Sequence, residues 1–227
     1  MALNEGTIES LALRYVKPGM VLALGTSGHS ETFLKKIAFE IEEKGLNVSV
    51  VPTSHRIAEL LASLKIPVTS LNENEIDVAF EFVSQVDRDF NFVKTDSTSL
   101  VRDKMIAQSA EELIVVAGKK DFVERISGTI PFEIVHFGWK RTIIQLEKLG
   151  EAHLRKIGGK EYRTESNNLV ADVKIDDIYD LYEIESQAKE VPGVIETGLF
   201  IGYADRIILH NHGLEVKSRL DFEKSFS

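Results

Sequence analysis

Two short stretches of this 227-residue chain bring together residue types that can do chemistry. In the first, LALGTSGHSETF, a continuous apolar run ends in Gly25, Thr26, Ser27, Gly28, His29 and Ser30 just before a helical pattern begins. A glycine-containing turn between a buried strand and a helix can leave backbone N–H groups free, and the positive end of the helix favours an anion there. The hydroxyls of Thr26, Ser27 and Ser30 add donors, so the segment can cradle a phosphate. It is neither a P-loop, which needs GK[ST], nor the GxGxxG dinucleotide fingerprint. An ordinary strand-to-helix turn uses the same residues, and the local pattern leaves both readings open.

The second stretch runs Lys94, Thr95, Asp96, Ser97, Thr98, Ser99, then Leu100, Val101, Arg102, Asp103 and Lys104, where a helix is expected to start. Lys94 can stabilise an oxyanion, and Asp103 can move a proton if a cleft raises its pKa. The alternative has Ser99 as a helix cap and Arg102, Asp103 and Lys104 as solvated helix charges. The six histidines, His29, His55, His136, His153, His210 and His212, show no metal spacing, so no metal site is expected. His210 and His212 alternate as strand neighbours do, Trp139 reads as a packing residue, and the acidic runs 73–77 and 176–185 read as solvent-facing.

The elements that must position these residues follow from apolar periodicity. Ile8, Leu11, Ala12 and Val16 have helical spacing, and Lys17-Pro18-Gly19 stops the helix. Residues 20–24 read as a strand buried on both faces, and Phe33, Leu34, Ile37, Ala38 and Ile41 lie on one face of a helix that Gly45 ends. A strand at 47–51, a helix at 54–65 and a short strand near Val68 repeat the unit, which argues for parallel βαβ connections. Further strands are expected at 76–80, 113–117 and 206–210. Between about 130 and 200 the pattern changes to a strand FEIVHF, a helix 139–149, a strand NLVADVKI, a helix DLYEIESQAKEV and the extended VIETGLFI. The expected architecture is α/β: a Rossmann-like, mostly parallel sheet flanked by helices, from residues 1–128 and 203–227, with a smaller inserted α+β lobe at 129–202.

With 43% hydrophobic residues the chain folds rather than remaining disordered. Its 27 Lys and Arg against 36 Asp and Glu give a net charge of −9, so no nucleic-acid partner is expected. No apolar run approaches the roughly 20 residues that cross a bilayer, and no membrane partner is expected either. The absence of cysteine removes disulfides, thiolate metal sites and Cys nucleophiles, and agrees with a cytoplasmic location, where no secretory signal is needed.

The order of segments resembles ribose-5-phosphate isomerase of the A type. The resemblance runs through Tyr15-Val16-Lys17-Pro18-Gly19 leading into LGT, Pro52-Thr53-Ser54, Phe92-Val93-Lys94, the Leu100 to Lys104 segment, Phe137-Gly138-Trp139 and VPGVIETGLFIGYADRIILH at 191–210, the most specific stretch. It implies interconversion of ribose 5-phosphate and ribulose 5-phosphate through an enediol, no cofactor, and a homodimer or homotetramer. Residue by residue, it implies Asp103 as the proton-shuttling base and Lys94 as the enediolate stabiliser. The substrate contacts it implies are Thr26, Ser27, Gly28 and His29 as phosphate cradle, with Glu81, Ser84, Thr95, Asp96, Ser97 and Lys120 around the sugar.

The chain departs from the family pattern at several of these positions. Thr-Gly-Ser-Thr becomes Thr26-Ser27-Gly28-His29, and Asp-Gly-Ala-Asp becomes Glu81-Phe82-Val83-Ser84. The glycine run after the lysine becomes Thr95-Asp96-Ser97, and the family's catalytic Glu is Asp103. The later lysine falls on Asp121, one or two positions after Lys119 and Lys120. Shortening Glu to Asp withdraws a carboxylate by about 1.5 Å, and misplacement by ~1 Å can cost on the order of a hundredfold in rate. The other readings to weigh are a non-catalytic sugar-phosphate binding protein of the same fold and an isomerase of another phosphosugar.

Overall fold

The computed structural model describes residues 7–175, 178, 180–210 and 214–219. Helix α1 (Ile8–Ala12) runs into a 3-10 turn, Leu13–Tyr15, and Gly19 takes a left-handed φ of 90° at the stop before β1 (Val21–Leu24). Then come α2 (Gly28–Lys44), β2 (Ser49–Pro52), α3 (His55–Ser63), β3 (Ile76–Phe82), and two short strands, β4 (Gln85–Val86) and β5 (Phe92–Val93). Helix α4 (Leu100–Ser109) leads directly into β6 (Ala110–Gly118). Next are β7 (Gly128–Ile134), α5 (Trp139–Leu146), β8 (Glu151–Leu154), the pair β9 (Lys156–Ile157) and β10 (Lys160–Glu161), and β11 (Leu169–Ile175). The chain continues through α6 (Leu181–Lys189), β12 (Val194–Thr197), β13 (Leu199–Phe200), β14 (Arg206–His210) and β15 (Leu214–Ser218).

The main sheet has the order β15-β14-β6-β3-β1-β2, parallel throughout except for the antiparallel edge strand β15. Its strands are apolar on both faces because helices cover both. Phe33, Leu34 and Ile37 of α2 and Ile57 and Leu61 of α3 pack with Leu22, Leu24, Val50 and Phe80 on one side. Ile106 and Ala107 of α4 pack with Val115, Ile207 and Leu209 on the other, beside the stacked rings of Phe92 and Phe200. Each such side chain contributes ~1.5–3 kcal/mol when fully buried. From β1 the chain crosses to β2 on one side, and β3 then joins β1 on the other. That reversal opens a crevice at the carboxyl ends of β1 and β3, the usual place for a ligand in such sheets.

A separate antiparallel sheet, β12-β7-β11-β8, holds a third core of Phe132, Leu169, Val173, Leu146 and Ala188. The stretch VIETGLFI is not one strand. Val194–Thr197 pairs with β7, whereas Leu199–Phe200 pairs with β5, and Gly198 makes the turn between them. Only glycine fits there, since a Cβ would lie 2.5 Å from Pro131 Cγ and 2.9 Å from the Lys94 carbonyl oxygen. The crossing strand thereby ties the antiparallel sheet to the backbone of Lys94, whose N–H donates to Gly198 O at 3.0 Å.

Several sequence expectations are corrected. The strand expected at FEIVHF begins earlier, at Gly128, where a φ of 87° lets the chain enter the sheet, and the helix from Trp139 ends at Leu146. The strand near Val68 is a single bridge to Val50. Edge strand β15 was not legible, and His212 lies outside the described residues. Asp103 and Lys104 are not solvated helix charges: they are 2% and 7% exposed, and the Lys104 ammonium meets Glu185 at 3.1 Å and Glu196 at 3.4 Å. Ser99 does cap α4, accepting from Arg102 N.

Candidate active site

The loop after β1 leaves the sheet at Gly25, whose N–H still donates to Phe80 O at 3.0 Å. Ser27 then caps α2 by accepting from Ser30 N at 3.0 Å, and the Ser30 hydroxyl turns back to the Gly25 carbonyl. That closes the turn around free N–H groups at the positive end of a 17-residue helix. Beside it lies a cavity of about 380 Å³, lined by Ser27, Gly28 and His29 after β1, Phe82, Val83 and Ser84 after β3, Thr95 and Asp96, and Val116 to Gly118, Lys120 and Asp121 after β6. His29 is fixed in the wall by its ring stacked on Phe82, 5.5 Å between centroids, and by Nδ1 at 3.1 Å from Glu9 of α1.

Beneath this wall sits a buried ionic cluster. Strand β3 brings Glu81, the residue after β5 brings Lys94, and the first turn of α4 brings Asp103, with exposures of 0%, 2% and 2%. Lys94 Nζ lies 2.5 Å from Glu81 Oε2 and 3.2 Å from Asp103 Oδ2. The Ser97 hydroxyl donates to the same Asp103 oxygen at 2.6 Å and accepts from Ser99 N at 3.0 Å. An ammonium has three N–H donors, so the two carboxylates leave one uncommitted.

Two carboxylates around one ammonium would carry an uncompensated negative charge in a dry site, which is costly. Burial accordingly pushes the Glu81 carboxyl up to about 8, against the pull of Lys94 and with a further push from Asp103. Burial alone would pull the Lys94 ammonium down, but Asp103 and Glu81 together outweigh it and hold it above the usual lysine range. Near neutral pH, then, Glu81 holds a proton. Its second oxygen, Oε1, is the one buried side-chain polar atom among the described residues with no hydrogen-bond partner. A buried polar atom of this kind costs roughly 1–3 kcal/mol when unsatisfied, and a ligand can relieve it.

The structure therefore divides the expected site residues into two groups. Ser27, Gly28, His29, Ser84, Thr95, Asp96 and Lys120 line the cavity, while Glu81, Lys94, Ser97 and Asp103 form the cluster. The two groups join through the chain, since Phe82 follows Glu81 and Thr95 follows Lys94. Thr26 belongs to neither. Its hydroxyl donates to Ser54 at 2.8 Å and stands 3.4 Å from Thr53, bracing the loop against α3. Sequence reasoning missed Gly25, although a glycine directly after a buried strand was a signal. A Cβ there would lie 2.7 Å from Glu81 Cδ and closer still to Glu81 Oε2 and Lys94 Nζ. It also missed Glu9, 20 residues from His29, for which no local pattern exists. Among the described residues no group of His, Asp and Glu could hold a metal ion, and no helix is long and apolar enough to cross a membrane.

Comparison with known proteins places these features in context. The family model for ribose 5-phosphate isomerase A (phosphoriboisomerase A) matches residues 49–213. The chain is similar to ribose-5-phosphate isomerase A 2 of Oceanobacillus iheyensis, 33% identical over 205 residues that cover 89% of this chain and 92% of that protein. It is 35% identical over 212 residues to ribose-5-phosphate isomerase A of a Synechococcus species, covering 90% and 92% of the two chains. Among solved structures, the ribose 5-phosphate isomerase A of Methanocaldococcus jannaschii superposes with a TM-score of 0.87 at 26% identity, over 93% of this chain and 96% of that one. A D-ribose-5-phosphate isomerase in complex with phospho-erythronic acid superposes with a TM-score of 0.89 at 28% identity, over 96% and 100%.

Proposed function

This chain belongs to the ribose 5-phosphate isomerase A family and is an isomerase of ribose 5-phosphate and ribulose 5-phosphate, and from that premise we propose how its own residues divide the work. The phosphate sits at the N-terminus of α2, on the backbone of Ser27, Gly28 and His29, with Lys120 across the cavity. The sugar extends past Ser84, Thr95 and Asp96, and its C1–C2 end reaches the cluster once the segment Thr95 to Ser97 yields, since neither Lys94 nor Asp103 lines the cavity itself.

Burial that drives Glu81 to hold a proton suits it to the acid's task and leaves the base's task to another group. Asp103, hydrogen-bonded by Ser97 and Lys94, is the base that takes the proton from C2. Glu81, which holds a proton at neutral pH, gives it to O1, so that the C1–O1 double bond becomes a C1–C2 double bond with a hydroxyl on each carbon. The reverse sequence at the other carbon completes the reaction. Glu81 recovers a proton from O2 as the C2 carbonyl forms, and Asp103 returns its proton to C1. The uncommitted N–H of Lys94 stabilises whichever oxygen carries the developing charge, an interaction typically worth several kcal/mol in a dry site. The observation that supports this reading best is the convergence of Glu81 and Asp103 on Lys94 behind a cavity at the sheet's reversal point.

The test is isotope exchange. Incubation with ribose 5-phosphate in heavy water should carry deuterium into C2, followed by NMR, and Asp103→Asn should abolish exchange while phosphosugar affinity stays within about threefold. Exchange retained in that variant would remove Asp103 from its role, and exchange with another pentose or hexose phosphate alone would redirect the substrate assignment. In the same reading, residues 129–202 form the α+β lobe, 1–128 and 203–227 form the main domain, and the protein works in the cytoplasm as a homodimer or homotetramer.

A further inference from the structure

The carboxylate of Glu133, on β7 of the antiparallel sheet, is wholly buried and has no place in the chemistry above. Oε1 accepts from Thr164 Oγ1 at 2.8 Å and Asn168 Nδ2 at 2.9 Å. Oε2 faces α4, accepting from Val101 N at 3.2 Å and from the Ser99 hydroxyl at 3.4 Å. Val101 N is one of the helix-end donors with no partner inside the helix, and Ser99 is the residue that caps it. Two further contacts from the loop between β10 and β11 reach the same segment: Tyr162 Oη donates to Ser97 O at 3.4 Å, and Glu165 N donates to Thr98 O at 2.9 Å. Residues 97, 98, 99 and 101 are thus all held from the antiparallel sheet and its loop, while Asp103 follows within the first turn of α4.

We infer that Glu133 is a positioning residue that sets Asp103 by holding the N-terminus of α4. The inference rests on Asp103 being the base. A carboxylate inside a sheet's core costs more than an apolar side chain of the same volume unless its donors require it. Here the donors on one side belong to the antiparallel sheet's own loop, and those on the other belong to the helix that carries Asp103. The negative charge also sits at the positive end of α4, where it is favoured. The other groups around Asp103 are Lys94 after β5, Glu81 of β3 and Tyr162 of the loop. On α4 itself, Lys104 is neutralised by Glu185 and Glu196, and Arg102 lies 3.7 Å from Glu165.

Glu133→Gln keeps the shape and removes the charge. The expected result is a kcat roughly 10- to 100-fold lower, with KM within about threefold, as for a base displaced by a fraction of an ångström. Ile130→Val, which thins the core of the same sheet without touching the helix end, should lower thermal stability and leave kcat in place. The inference is overturned if Glu133→Gln keeps the wild-type kcat, if its loss falls on KM instead, or if Ile130→Val reproduces its losses. Should Glu133→Gln fail to fold, Glu133→Asp, one methylene shorter, should lower kcat with KM in place, and an unchanged kcat overturns the inference. If Asp103→Asn itself retains turnover, it is the assignment of the base that has failed, and the two failures are told apart.

Discussion

Gly25→Ala is the smallest change that reaches the cluster without altering any titratable group. The added methyl would lie 2.7 Å from Glu81 Cδ and nearer still to Glu81 Oε2 and Lys94 Nζ, whereas ordinary contact begins at 3.4 Å. Backbone relief is limited, because Gly25 N is tied to β3 through Phe80 O and its carbonyl holds the Ser30 hydroxyl. The carboxyl, the ammonium or both must therefore retreat by about 1 Å, an overpacking that costs ~1–3 kcal/mol. Retreat of that size from Asp103 and from the reacting carbons corresponds to a rate loss on the order of a hundredfold. At ~2–4 °C per kcal/mol for a chain of this length, the melting temperature should fall by roughly 2–12 °C. The assay is the initial rate of ketose formation from ribose 5-phosphate beside a thermal melt. Gly28→Ala supplies the contrast in stability, because nothing lies within 4 Å of its added Cβ, and its melt should stay within about 0.5 kcal/mol of wild type. A Gly25→Ala enzyme that turns over within threefold of wild type would show that Glu81 and Lys94 are not where the reaction takes place.

Two further outcomes follow from the same geometry. With its folded value raised from 4.5 to about 8, Glu81 makes the folded state bind an extra proton between those limits. Its contribution to stability is therefore complete below about 4.5 and is lost as pH rises through about 8. Denaturant midpoints across that window should fall with rising pH in the wild type and fall less in Glu81→Gln. The wild-type kcat should decline through the same upper limb, and an upper limb unchanged in Glu81→Gln would separate Glu81 from the proton transfer. Lys120→Met removes a cation from the cavity wall and should raise KM about tenfold or more at near-constant kcat, as expected for loss of a charge-assisted hydrogen bond worth ~1.5–3 kcal/mol. An unchanged KM would place the phosphate elsewhere.

What could be read from the sequence depended on whether the governing interaction was local. Strand β1, the glycine turn and α2 are set by apolar period, a Ser27 cap and the Gly45 stop, all within 25 residues of each other, and they stand where the pattern put them. The same holds for Ser99 as the cap of α4. Strand β15 and the split at Gly198 depend on partners far along the chain. No window of residues 191–201 reveals that one half pairs with β7 and the other with β5. The histidine in the loop after β1 was legible as a change of residue type, but its partner Glu9 was not, since nothing in the spacing of α1 points to it.

The two carboxylates show the same limit most sharply. Taken position by position, Glu81 and Asp103 look like two separate departures from a familiar pattern, one acid too long and one too short. In the fold they are not separate, because both end on the same ammonium, 2.5 Å and 3.2 Å from Lys94 Nζ, in a space closed by Gly25 on one side and by Ser97 on the other. The shorter acid of α4 and the longer acid of β3 thus act on one set of contacts, because both side chains end on the same ammonium. The longer acid is also the one driven to hold a proton and to leave Oε1 without a partner. A loss of catalytic reach inferred from Asp103 alone is thus an argument about one half of a unit, and only the three-dimensional convergence reveals the other half.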